Sequence, residues 1–114
     1  SSGGMFTLYA LLHEPDLFLR YLIGSAIFEI MLPHYIAYEQ QLAKERKSLP
    51  VHAYFSVGGL EEDMVPSFHQ FIDVLKSRSY AGLHLETLID QGEGHFSTSP
   101  TAFCKGFKAL YKSE

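Results

Sequence analysis

The feature that most constrains this sequence is a recurrence: three short runs of aromatic and branched residues, each stopped by small residues, with helix-length sequence between them. The first, Arg20-Tyr21-Leu22-Ile23-Gly24-Ser25, has the length and content of a buried strand. In the second, Val51, Ala53, Phe55 and Val57 alternate with more polar residues until Gly58-Gly59, which predicts another strand. In the third, Leu83, Leu85, Thr87 and Ile89 alternate with His84, Glu86, Leu88 and Asp90 before Gly92-Glu93-Gly94-His95. Met5 to Leu12 is apolar on nearly every side and closes at Pro15, as a short buried helix would. A loop is expected over 28–33. A solvent-facing helix follows over 34–47, with Ile36, Ala37 and Leu42 inward and Glu39, Gln40, Lys44 and Glu45 outward. Met64, Phe68, Phe71, Ile72 and Leu75 mark an amphipathic helix, and Ser99-Pro100 starts a last one with Phe103, Phe107, Leu110 and Tyr111 inward. Strands separated by helices need crossover connections, and these build a parallel sheet with helices on its faces. The expected class is α/β, with three parallel strands in one domain over 1–114.

In sheets of this kind the ligand groups lie beyond the carboxyl ends of the strands, so the segments after Ser25, Val57 and Ile89 matter most. Ser1-Ser2-Gly3-Gly4, leading at once into a buried helix, suits the second half of a nucleophile elbow, where a serine sits on a tight strand-to-helix turn. With Ser1 as nucleophile, the amide of Ser2 at the helix start can donate to a developing oxyanion. Glu61 follows the second strand and can orient an imidazole, while His95 follows the third in a glycine-flanked turn and can take the serine proton. Glu62 and Asp63 compete for the acid role. Taken singly, each carboxylate also fits solvated surface, His95 a plain turn, and Ser1-Ser2 a cloning remnant. The order serine, acid, histidine is that of α/β-hydrolases.

Composition removes several other classes. The 114 residues are 46% hydrophobic and 19% charged, enough apolar content for a modest core. A net charge of -4, with no long basic run, leaves no footprint for nucleic acid or an anionic membrane. Cys104 stands alone, so neither a disulfide framework nor a cysteine zinc site is expected. No apolar run approaches a membrane span, and a soluble chain of either cytoplasmic or periplasmic compartment is expected. His13, His34, His52, His69 and His84 show no H-E-x-x-H or comparable spacing and read as surface or helix-end residues, with no metal and no cofactor.

The stretch from Ser1 to Leu12, with Pro15-Asp16-Leu17-Phe18, resembles the putative-esterase family of α/β-hydrolases, which includes esterase D and enterochelin-esterase-like hydrolases of siderophore esters. Ile23-Gly24-Ser25, Ser56-Val57-Gly58-Gly59-Leu60-Glu61 and Gly92-Glu93-Gly94-His95 extend the resemblance along nearly the whole chain. It departs at Ala26, where relatives often have Pro, and in using Glu where Asp is commoner in the wider fold. The resemblance implies the C-terminal part of an α/β-hydrolase fold and acyl transfer to water. In that reading Ser1 attacks the ester, His95 serves as base, Glu61 as acid, and the Ser2 amide provides half of an oxyanion hole. Some siderophore-ester relatives work with a Ser-His dyad, which leaves the need for Glu61 open. Phe28 and Tyr35 are expected at the acyl or alcohol pocket, with a core role as the simpler reading. The partner is a small-molecule ester, with no cofactor. Lacking the N-terminal half of the family's fold, the chain is expected to pair with it or self-associate, and to hydrolyse esters weakly or not at all alone.

Two other readings remain at this level. An N-terminal-nucleophile hydrolase would use the α-amine of Ser1, but such enzymes need stacked antiparallel sheets. A catalytically inactive, hydrolase-like binding or structural domain would make the constellation accidental.

Overall fold

The strands β1 (Arg20–Gly24), β2 (His52–Gly58) and β3 (His84–Asp90) form one parallel sheet in the order β1-β2-β3. This is seen in a computed structural model that describes residues 2–24, 26–58, 64–90, 108 and 110, the side chains of Ser2 and Asp90 excepted. Arg20 lies opposite His52 and His52 opposite His84. At the far end Gly24 is level with Ser56 and Gly58 with Asp90. All three strands therefore point the same way.

The crossovers are α2 (Phe28–Glu45) and α3 (Met64–Ser77). Because the sheet advances in one direction, right-handed connections put both helices on the same face. An aromatic cluster marks that face: the Phe28 ring lies 5.3 Å from Phe68 and 6.5 Å from Phe55, and Phe55 lies 6.1 Å from Phe71. The helix α1 (Ser2–His13) and a single 3-10 turn, Pro15–Leu17, pack in the same layer and bury Leu8, Leu11 and Leu12. The Tyr21 hydroxyl ties that corner to β1 by donating to the Pro15 carbonyl at 3.0 Å, and burial raises its pKa. Leu110 lies by the opposite face, where its carbonyl accepts from Arg20 Nε at 2.9 Å. Among the described residues no helix is long and apolar enough to cross a membrane.

Several expectations change. Residues 28–33 are helix, because α2 starts at Phe28 and runs through Pro33. The proline forfeits one backbone bond near the helix start, at a place where Glu29 and Pro33 both face solvent, while Phe28 and Tyr35 anchor the other side in the core. Glu39, expected outward, is fully buried, and Ala37, expected inward, is exposed. The inward face runs through Phe28, Tyr35, Glu39 and Leu42, so Glu39 occupies a core position and requires partners. Arg78 supplies them with Nε at 2.9 Å and Nη2 at 2.9 Å, and the Tyr80 hydroxyl adds a third at 2.8 Å. Burial and this bond push the Tyr80 phenol well above its usual range, and the bond to Glu39 raises Arg78.

The strand β2 does not alternate between buried and exposed. It is buried on both faces from Ala53 to Gly58, as the middle strand of a parallel sheet must be when both faces are covered. Of the expected last helix only Lys108 and Leu110 are described, both helical and Leu110 buried. Phe103, Phe107 and Tyr111 lie outside the described residues.

Candidate active site

One glycine contact fixes the relation between α1 and the sheet. A Cβ added at Gly4 would stand 2.1 Å from the Gly24 carbonyl oxygen and 3.4 Å from Ala26 Cα, so any side chain there would collide with backbone. The first turn of α1 thus abuts the carboxyl end of β1. Ser2 is the first residue of α1, where backbone N–H groups have no partner within the helix and the helix dipole favours negative charge.

The turn after β1 is held firmly. Ala26 is buried, and Ile27 adopts a left-handed conformation with φ 56° and ψ 53°. For a β-branched residue that costs on the order of 1–2 kcal/mol, so the surrounding contacts must impose it. The Tyr35 hydroxyl donates to the Ala26 carbonyl, and the Met31 N–H donates to the Ile27 carbonyl at 3.1 Å. Burial pushes the Tyr35 phenol up to about 12. Beside the same strand end, Ser56 Oγ is buried and has no hydrogen-bond partner among the described residues. It would lie 3.5 Å from a Cβ at Gly24.

Ser1, Glu61 and His95, with Glu62 and Asp63, lie outside the described residues, as does the side chain of Ser2. Their points of departure are described. Glu61 follows Gly58 by three residues and His95 follows Asp90 by five, which an extended chain spans in at most about 11 Å and about 18 Å. Gly58 and Asp90 are paired in register at the carboxyl end of the sheet, the end that also carries the start of α1.

With the parallel order, the helices on one face and the first turn of α1 against the end of β1, the chain can be compared with solved structures. The siderophore hydrolase EstA from Aspergillus nidulans superimposes with a TM-score of 0.89 over 100% of this chain and 46% of its own, at 20% identity. This is part of an α/β-hydrolase fold. The siderophore hydrolase EstB from Aspergillus nidulans gives a TM-score of 0.84 over 96% of this chain and 46% of its own, at 16% identity. An IroE-like serine hydrolase from Shewanella oneidensis gives 0.80 over 96% of this chain and 37% of its own, at 19% identity. The chain therefore spans less than half of each of these α/β-hydrolase structures. The sequence matches no protein-family model and no curated protein.

Phe28 and Tyr35, expected at a pocket, are both buried among core residues, with ring centroids 5.7 Å apart. Tyr35 also borders a groove of about 320 Å³ between α1 and α2, with Met5, Phe6, Tyr9, Met31 and Tyr38. Tyr35 supports the turn after β1 through its hydroxyl, and Phe28 packs in the aromatic core. The sequence reading missed Ile27 and Ser56, and neither residue type advertises a strained turn or an unpaired hydroxyl. His52 and His84 sit on the strands where they were expected, but their meeting was not foreseen: the rings stack at 4.0 Å, and His52 Nε2 lies 2.6 Å from Glu86 Oε2.

Proposed function

We propose that the protein carrying this chain is a serine ester hydrolase in which Ser1 is the nucleophile, His95 the general base and Glu61 the acid that orients it. The observation that carries this reading is the contact of Gly4 with the Gly24 carbonyl. It puts the start of α1 at the sheet end from which the segments bearing Glu61 and His95 depart. Ser1 attacks the ester carbonyl as His95 accepts its proton, and the alcohol leaves with that proton. His95 then activates water to release the acid from the acyl-enzyme. The Ser2 N–H, at the positive end of the α1 dipole, supports the oxyanion of both tetrahedral intermediates. Siderophore esters and acylated sugars are the proposed substrate class, supported by the fold shared with the two Aspergillus nidulans siderophore hydrolases.

The edge of β1 and the exposed Leu17, Phe18 and Leu19 beside it support a second element of the proposal. This edge pairs with further sheet of the parent protein, which supplies the second oxyanion donor.

The test is fluorophosphonate labelling of the full-length protein. Ser1 is expected to be the modified residue, with labelling lost in His95→Ala and ester turnover reduced about a thousandfold or more in Ser1→Ala and His95→Ala. Labelling at another residue would overturn Ser1 as the nucleophile, and no labelling would leave the fold as a binding module. Substituting Glu61, Glu62 and Asp63 one at a time identifies the acid by the variant that loses the most turnover.

A further inference from the structure

The face of the sheet turned away from α2 and α3 carries a cluster at its amino end that the proposed hydrolysis does not use. Side chains two apart on a strand share a face, and so do residues opposite each other in register. His84 and Glu86 are two apart on β3, and His52 lies opposite His84 on β2. The parallel pairing thus gathers two imidazoles and a carboxylate on one patch. One ligand atom from each lies within 4.8 Å of the other two. His52 and Glu86 are partly covered, their side chains 17% and 27% exposed, while His84 is exposed.

We propose that His52, His84 and Glu86 bind one divalent first-row transition-metal ion, with zinc as the reference ion and a fourth position open to water. Two imidazoles and one carboxylate form a zinc ligand set of the open type, and hard cations that prefer all-oxygen shells are disfavoured by it. Bonds of about 2.0–2.2 Å in tetrahedral geometry place ligand atoms about 3.4 Å apart. His52 and Glu86, at 2.6 Å, are already closer than that and separate as the ion replaces the proton between them. His84 closes the remaining distance by unstacking from His52, a side-chain rotation that its exposure permits. The ion bridges adjacent strands and needs no backbone movement. Arg20, the nearby cation in the same row, directs its Nε to the Leu110 carbonyl at 2.9 Å. The site lies at the opposite end of the strands from the proposed hydrolytic residues, so its loss and the failure of the hydrolase reading are separable.

The test is a titration of the full-length protein with Zn²⁺ against a chromophoric chelator, and with Co²⁺ followed by visible absorption. One ion per chain is expected, with the intense d–d bands of a four-coordinate cobalt site and a rise in melting temperature on adding zinc. Outer-shell partners alone are worth about 10- to 100-fold in metal affinity, so His84→Ala and Glu86→Gln should each weaken binding at least tenfold. Both variants leave the core untouched, and circular dichroism checks that they fold. His34→Ala and His69→Ala, on exposed helical positions, should bind as the parent does. No saturable binding, or binding that survives both His84→Ala and Glu86→Gln, would overturn the proposal.

Discussion

The two ends of the sheet are held by different means. At the carboxyl end the contacts are mostly backbone: Gly4 against the Gly24 carbonyl, a left-handed Ile27, and an Ala26 carbonyl capped by Tyr35. At the amino end they are between side chains: Glu39 with Arg78 and Tyr80 on the helical side, and His52 with His84 and Glu86 on the other. Those backbone contacts fix where the chain leaves β1. An active site built on segments after the strands requires that arrangement. Paired side chains instead satisfy one another, and they serve stability or a ligand of their own.

The amino end also contrasts two carboxylates. Glu39 is fully buried and saturated by a guanidinium fork and a phenol, whereas Glu86 is partly open to water. The largest effect on the comparison should come from Arg78→Ala, which removes the guanidinium fork from the buried Glu39 carboxylate and leaves it the Tyr80 hydroxyl. Urea unfolding measures it. A loss below about 1 kcal/mol would mean that water reaches Glu39 and that the two carboxylates are alike.

At the carboxyl end, Gly4→Ala should cost about 3 kcal/mol, because the methyl group meets backbone that cannot yield as a side chain does. In the full-length protein the same change should lower ester turnover more than a surface Gly3→Ala, since nothing lies within 4 Å of a Cβ at Gly3. Equal effects of the two substitutions would remove the link between this contact and the site.

The smallest effect is expected for Tyr35→Phe, about 1 kcal/mol for the lost hydrogen bond to Ala26. Its signature lies in the pH dependence. Folding raises the phenol from 10.0 to about 12, so the folded state favours the neutral form. The stabilisation is complete below pH 10 and fades as the pH rises toward about 12. Alkaline unfolding curves of the parent should therefore be steeper over that interval than those of Tyr35→Phe. Superimposable curves would show that burial of this group does not differ between the folded and unfolded chain.

The strands, their parallel direction and α3 were legible because apolar runs bounded by small residues, and apolar repeats at helical spacing, are local signals. The start of α2 was not, because Pro33 reads as a break until its neighbours are seen anchoring the helix on the other side. Glu39 was misread for a related reason: a charge is outward by default, and only the arrival of Arg78 and Tyr80 from beyond α3 makes an inward position tolerable. The candidate serine, acid and histidine were chosen by their order along the chain and by the strands they follow. They remain a reading of the sequence.

What the sequence by itself determined is the succession of strand and helix, since period and punctuation reside in neighbouring residues. Only the tertiary structure decided which distant residues meet. His52 and His84 are separated by a whole crossover, and no spacing rule predicts their contact, because it depends on the register of two parallel strands. The same holds for Gly4 and Gly24, whose close approach is set by how α1 packs on the sheet and which glycine makes possible by having no side chain.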